Sequence, residues 1–334
     1  MDKVKLGVIG AGRIGRIHAS NLKSQVRGSD VIAVSDVVPE AARSLAAELA
    51  IPVWETDHRR LLENKDLDAV VICSSTDTHA QIIAESAEAG KDIFCEKPIA
   101  LEMERIDRAL AAVAKAGVKL MVGFNRRFDP GFHKAKELVA AGGIGTPHLV
   151  RISSRDPQPP PPEYVRVSGG MFLDMTIHDF DMARYLLGQE VTELMATGTC
   201  LVDPRIGQQG DIDTAVVLLK YKSGALGAID NSRKAVYGYD QRIEVFGAEG
   251  SVVVGNKTPT EVTLNKADRI EHDKPMFFFL ERYREAYILE MEHFISCLRE
   301  NKEPSVTGLD GRISVAMGYA AKESLRTGTF VKVG

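Results

Sequence analysis

Val4-Lys5-Leu6-Gly7-Val8-Ile9-Gly10-Ala11-Gly12-Arg13-Ile14-Gly15 opens the chain and decides how the rest is read. Val4 to Ile9 is a short apolar run closed by glycines, the pattern of a strand buried on both faces of a parallel sheet. Gly10, Gly12 and Gly15 then give G-x-G-x-x-G ahead of a helical pattern of Ile14, Ile17, His18 and Leu22. The first glycine permits a tight turn, the second lets a pyrophosphate approach the backbone, and the third lets the helix pack closely on the strand. The helix start, with Arg13 and Ile14 beside it, offers unpaired N–H groups and the positive end of a dipole to phosphates. Alone, this motif is a weak signal. It gains weight from a second apolar run, Val31 to Val34, that leads to Asp36, 21 residues beyond Gly15. An acid there bonds both hydroxyls of an adenine ribose and repels a 2′-phosphate, so the expected cofactor is NAD rather than NADP.

From this point to about residue 125, strand and helix patterns alternate. Apolar runs at Ala69 to Cys73, Asp92 to Cys95 and Leu120 to Gly123 are separated by helical spacing over about 77–89 and 102–116. Such alternation predicts a doubly wound parallel sheet whose ligand lies outside the strand carboxyl ends. After Asn125 the pattern changes. A helix over 130–141, a strand over 148–154 and a proline-rich loop from Asp156 to Pro162 lead to a helix over about 172–187, entered through Gly169-Gly170. Strand patterns then follow one another from 191 to 265 with short polar turns such as Lys222-Ser223-Gly224, predicting a large, mainly antiparallel open sheet in an α+β domain. Helices over 282–300 and 309–327 finish the chain. The expected division is 1–125 for dinucleotide binding and 126–334 for substrate binding and oligomerisation, with the last helices free to fold back on the first domain.

Composition narrows the class. The 334 residues are 44% hydrophobic and 26% charged, with a net charge of −4, which is ordinary for a soluble globular protein and excludes an electrostatic nucleic-acid binder. No apolar run reaches the ~20 residues of a membrane helix. The first strand pattern begins at Val4, leaving no room for a signal peptide, and four cysteines at 73, 95, 200 and 297 lack metal-type spacing. Free thiols in the cytoplasm, and no metal, are the expectation.

Several residues could carry chemistry. Lys97 ends a strand between Glu96 and Pro98, stiffened by the proline, at the sheet edge where nicotinamide and substrate meet. Ser74, Ser75 and Thr76 end the preceding strand, and His79 follows, near the expected cofactor. Asp174 and His178 are four apart on a predicted helix and would share one face, where a carboxylate fixes the tautomer of a base. On spacing alone, a helix N-terminal acid beside a packed core histidine is the favoured explanation, and the Gly169-Gly170 entry, which allows close backbone approach, narrows the margin without reversing it. Asn125 and Arg127 lie at the ligand edge. Asp156, Tyr237 and Tyr239 lie in loops or strand ends that could line a polyol site, and His18 reads as packing.

The set Gly10-x-Gly12-x-x-Gly15, Glu96-Lys97-Pro98, Asn125-Arg126-Arg127-Phe128-Asp129 and Gly169-Gly170-x-x-x-Asp174-x-x-x-His178-Asp179-x-Asp181 resembles the glucose–fructose oxidoreductase/inositol dehydrogenase/rhizopine-catabolism (Gfo/Idh/MocA) family, over essentially the whole chain. The resemblance implies oxidation of a secondary hydroxyl of a cyclic polyol or sugar with NAD, myo-inositol to 2-keto-myo-inositol foremost. It implies catalysis by Lys97, Asp174 and His178, with His178 taking the hydroxyl proton, Asp174 orienting or charging that imidazole, and Lys97 bonding the reacting oxygen. Cofactor contacts are implied at the glycine loop, Asp36, Ser74, Ser75, Thr76, His79, Glu96 and Lys97. Substrate contacts are implied at Lys97, Asn125, Arg127, Asp156, Asp174, His178 and Tyr237. A dimer or tetramer built on the second domain's sheet is implied as well. A non-catalytic sensor of dinucleotide and sugar is the reading from another class.

Overall fold

The structure, a computed structural model, describes residues 3–334 and divides into two compact units. The first runs up to Phe128 and takes in Ala286–Val315; the second comprises Asp129–Glu285 and Ala316–Gly334.

In chain order, the first unit contains β1 (Val4–Ile9), α1 (Arg13–Ser24), β2 (Ser29–Ser35), α2 (Pro39–Leu49), β3 (Val53–Glu55), α3 (His58–Leu62), β4 (Ala69–Ile72), α4 (Thr76–Glu88), β5 (Asp92–Glu96), α5 (Met103–Ala116) and β6 (Leu120–Gly123). All neighbours pair in parallel in the order β3-β2-β1-β4-β5-β6. This is the doubly wound order, and its direction reverses between β1 and β4, which opens a ligand crevice at their carboxyl ends. Every residue of β4 and β6 is buried, as strands covered on both faces require.

The second unit contains α6 (Pro130–Ala140), β7 (Pro147–Arg155), α7 (Pro162–Ser168), α8 (Met171–Asp174), α9 (Ile177–Leu187), β8 (Val191–Thr199), α10 (Pro204–Gln208), β9 (Thr214–Tyr221), β10 (Leu226–Ser232), β11 (Asp240–Gly247), β12 (Gly250–Val254), β13 (Thr263–Asn265), β14 (Ile270–His272) and α11 (Phe279–Arg282). The chain closes with α12 (Arg284–Glu300), α13 (Gly308–Thr327) and β15 (Val331–Lys332). The large sheet has the order β12-β11-β7-β10-β9-β8-β15. Its pairs are antiparallel apart from β7 with β10, so the mainly antiparallel expectation holds. Alternation along β10 sends Gly227, Ile229 and Asn231 to the buried face and Leu226, Ala228 and Asp230 to the other.

Two sequence expectations change. The helix expected over 172–187 is two helices, α8 and α9, broken at Met175-Thr176, where Thr176 N–H reaches back five residues to the Met171 carbonyl. The strand expected over 260–265 shortens to β13 and pairs with β14 in a separate exposed hairpin. Both residues of the Gly169-Gly170 step have positive φ, and a Cβ on Gly170 would lie 2.6 Å from the Asp211 carboxylate, which caps α8 through Met171 N–H.

Asp129 shows how a buried charge is handled. Its Oδ1 caps α6 by accepting from Gly131 and Phe132 N–H, while Oδ2 pairs with Arg282, whose side chain is equally buried, and with Lys257. Burial pushes the Asp129 carboxyl up, but the two cations outweigh it and the net shift is down. A carboxyl lowered on folding stabilises the protein above its unfolded pKa of about 3.9 and loses that contribution as pH falls through the folded value. Asp129→Asn keeps the cap and removes the charge, and should destabilise the protein by about 3–5 kcal/mol at neutral pH. The gap from wild type in urea melts should narrow below about pH 4; a pH-independent gap would show that the charge is not responsible.

Candidate active site

In the first unit, the loop after β1 is forced by contacts within the chain. Gly10 has a φ of 102°, and a Cβ there would lie 2.5 Å from the Cys73 carbonyl oxygen; a Cβ on Gly15 would lie 1.8 Å from the Gly10 carbonyl oxygen. Gly12 differs. A Cβ there would meet no atom of the described residues within 4 Å, so nothing in the chain itself demands glycine. Open approach to the backbone at the N-cap of the 12-residue α1 is what a pyrophosphate needs. Arg13 is exposed and Ile14 half-buried beside it. Asp36 follows β2, its Oδ2 accepting from Ala11 N–H at 2.7 Å and its Oδ1 from Val38 N–H at 2.9 Å. It therefore sits against the glycine loop, and each oxygen retains a lone pair for a ribose hydroxyl. These residues fit NAD.

Ser74, Ser75 and Thr76 form the β4–α4 turn, with Ser74 and Thr78 hydroxyls 2.7 Å apart. His79 is not at a cofactor surface. It is 2% exposed, with Nδ1 2.9 Å from the Pro98 carbonyl and Nε2 3.0 Å from the Ser74 carbonyl. Burial keeps its imidazole neutral against the pull of both carbonyls, so it donates to one and only approaches the other. It ties two site loops together from behind. Glu96 is corrected likewise: its carboxylate turns into the unit and meets His18 Nε2 at 2.8 Å. Lys97, half-buried, follows β5 and precedes Pro98 through a cis peptide bond.

Arg127 is also corrected, and Asn125 lies beside it. Both lie in the short 3₁₀ turn Asn125–Phe128 and are buried, and the Arg127 guanidinium donates to Asp310 Oδ1 at 2.9 Å and the Ser305 carbonyl at 3.1 Å. Arg127 holds the 286–315 segment to the first unit, and its guanidinium is committed there rather than to a polyol.

In the second unit, the structure brings Asp156 and Asp174 together through Arg233, which the sequence reading missed. Arg233 Nη1 donates to Asp156 Oδ2 at 3.1 Å and Nη2 to Asp174 Oδ2 at 2.9 Å, while Tyr164 donates its hydroxyl to Asp174 Oδ1 at 2.9 Å. Burial opposes the charge on Arg233, but the two carboxylates outweigh it and the guanidinium stays protonated. The Tyr164 phenol is pushed up, by burial first and the Asp174 charge next, and remains a donor. Asp174 closes α8 and His178 lies on the first turn of α9, so the expected single-helix face does not exist. What places His178 is its flanks: Thr176 donates to Asn231 Oδ1 at 2.7 Å, and Asn231 Nδ2 donates to Asp179 Oδ2 at 2.8 Å. A signal for Asn231 was available, since it takes the inward parity of β10 with Gly227 and Ile229; Arg233, just past the strand end, had none.

Tyr237 is corrected too. Its hydroxyl donates to Asp240 and accepts from Arg155, which pairs with Asp230. Asp230 has the opposite strand parity to Asn231, so this cluster occupies the sheet face away from Asp174 and His178. Tyr239 is buried, edge-on to Tyr283. The structure therefore gathers Gly10, Gly12, Gly15, Asp36 and the β4 and β5 ends in one unit, and Asp156, Asp174 and His178 in the other.

Residues 4–124 match the model of an oxidoreductase family with an NAD-binding Rossmann fold, and residues 132–253 match the GFO/IDH/MocA C-terminal domain. The chain is 50% identical to a myo-inositol 2-dehydrogenase of Thermotoga maritima, over 99% of this chain and 98% of that protein. It is 45% identical to an inositol 2-dehydrogenase of Rhizobium meliloti, over 96% and 97%. The fold superposes with a TM-score of 0.93 on a scyllo-inositol dehydrogenase from Lactobacillus casei solved with NAD(H) and scyllo-inositol, at 30% identity and covering 99% of this chain and 98% of that one. Both domain matches and full-length identity agree with the site geometry, and the chain belongs to the Gfo/Idh/MocA family of NAD-binding oxidoreductases.

Proposed function

We infer that this protein is an NAD-dependent inositol dehydrogenase that oxidises myo-inositol to 2-keto-myo-inositol. The observation that carries the reading is the end-to-end likeness to the Thermotoga myo-inositol 2-dehydrogenase, at half of all positions. The site chemistry supports it. When bound, NAD supplies the hydride acceptor; the chain supplies alignment and proton handling. The α1 N-terminus and Gly12 hold the pyrophosphate, and Asp36 accepts from the ribose hydroxyls. Oxidising an alcohol builds negative charge on its oxygen, which the Lys97 ammonium stabilises while His178 takes the hydroxyl proton. Asp174 is anchored by Arg233 and Tyr164, which fixes its carboxylate on the proposed substrate side. We propose the cytoplasm as its location, consistent with four cysteines that are free thiols among the described residues.

NADH formation followed by absorbance, with myo-inositol, scyllo-inositol, D-chiro-inositol and glucose against NAD and NADP, tests the reading. Rapid reduction of NAD by myo-inositol is expected; preference for scyllo-inositol would move the substrate to the isomer bound by the Lactobacillus enzyme. Silence across the panel with intact NAD binding would favour a sensor. Lys97→Ala and His178→Ala should each lower kcat about 10²–10⁴-fold and leave the Kd for NAD near wild type. Near-normal turnover in either would remove that residue from the mechanism.

Asp36→Ser removes the ribose acceptor and the charge that repels a 2′-phosphate. The ratio of kcat/KM for NAD over NADP should fall by about tenfold or more, corresponding to about 1.4 kcal/mol. An unchanged ratio would mean that Asp36 only anchors Ala11.

We also propose a homo-oligomer assembled through the outer face of the seven-stranded sheet. Val216, Leu218, Leu226, Phe246 and Val253 are exposed there and share one parity across the paired strands. Light scattering should give a mass two or four times the 36.5 kDa chain, and Leu218→Lys should lower it. A monomeric wild-type protein would reject the assembly.

A further inference from the structure

Three side chains from α1, β5 and α12 converge inside the first unit: His18, Glu96 and Glu290. Each offers a nitrogen or oxygen, and these atoms all lie within 4.8 Å of one another. His18 and Glu290 are fully buried. His18 packs edge-on against Phe94 and Tyr287 and meets Glu96 Oε1 through Nε2 at 2.8 Å. Both oxygens of Glu290 lack a hydrogen-bond partner among the described residues, as does His18 Nδ1. An ionised Glu290 would be a buried charge with no bond, facing a second carboxylate.

We propose that Glu290 is held as the neutral carboxylic acid and donates its proton to the Glu96 carboxylate, so that Glu290 and His18 fix the strand end that carries Lys97. The remaining separation is closed by rotation about the soft terminal torsion of a glutamate. Burial pushes the Glu290 carboxyl well above the usual range, and the charge of Glu96 pushes the same way. The nearby Cys73 and Cys95 thiols are raised by burial first and by Glu96 next, so they supply no thiolate. Glu290 is then a positioning residue acting through Glu96, and this role rests on the part given to Lys97 above. A divalent cation would answer the same three atoms, but Glu96 is already engaged with His18.

Infrared difference spectra of the full-length protein at neutral pH, wild type minus Glu290→Gln, should show a carboxylic C=O stretch that the variant loses. Its absence would overturn the proposal. So would a stoichiometric divalent metal in the purified protein that disappears in the variant. In kinetics, Glu290→Gln keeps an N–H donor toward Glu96 and should stay within about threefold of wild-type kcat, while Glu290→Leu should lose about tenfold or more with NAD affinity unchanged. Equal kcat in the Gln and Leu variants would remove the positioning role. If Glu290→Leu fails to fold, the infrared band and the glutamine variant still decide. The two readings separate cleanly: activity retained in Lys97→Ala with the band present would end the role of Lys97 and leave the neutral Glu290 standing.

Discussion

The Arg233 guanidinium is 95% withdrawn from solvent and answered on one side by Asp156 and on the other by Asp174. A buried cation of this kind is tolerated only when its partners are fixed and its remaining donors satisfied. The consequence runs outward. Asp174 must be held, Tyr164 must stay protonated to reach it, and α8 must end where Asp174 can turn toward Arg233. Asn231, two residues earlier on β10, repeats the arrangement by binding Thr176 and Asp179 on either side of His178. The end of β10 and the residue just after it thereby set the position of the whole proposed acid–base segment, and the break between α8 and α9 is the bend that lets both anchor points be met.

That arrangement also explains which parts of the chain were legible beforehand. Gly10, Gly12 and Gly15 lie within six residues in one loop and helix start, and their spacing is itself the signal. Asp36 was legible for the same reason. Arg233 and Asp174 are 59 residues apart, and Arg233 and Asp156 are 77 apart, so no local pattern announces either pair. The spacing of Asp174 and His178 suggested a shared helix face because periodicity cannot register a broken helix. Asn125 and Arg127 looked like ligand groups because they follow a parallel strand. The Arg127 guanidinium is instead bound by Asp310, from a segment that returns to the first unit after more than 150 residues.

The first unit obeys the same electrostatic constraint with a different solution. His18 faces Glu96 across 78 residues, inside a wall of aromatic rings. The sequence suggests a packing histidine and a cofactor-binding glutamate; the fold turns both inward, to the same point. Glu96 is the last residue of β5, and its side chain leaves the strand toward α1 rather than toward the sheet edge. A carboxylate on that side must find a donor in the unit's interior, and α1, immediately after the phosphate loop, is the element that brings one.

This coupling gives the Glu96-Lys97-Pro98 segment two tasks that are inseparable by geometry. Lys97 is useful to a reaction only if its ammonium is held where charge develops, because electrostatic stabilisation depends on donors placed before the reaction begins. A long lysine chain carries much rotamer freedom, and fixing its backbone is the first reduction of that freedom. His79, bridging toward the Pro98 and Ser74 carbonyls, restrains the residue after Lys97, and His18 through Glu96 restrains the residue before it. Two buried histidines that never face solvent thus bracket the half-buried lysine, so the chemistry at the sheet edge is prepared one layer beneath it.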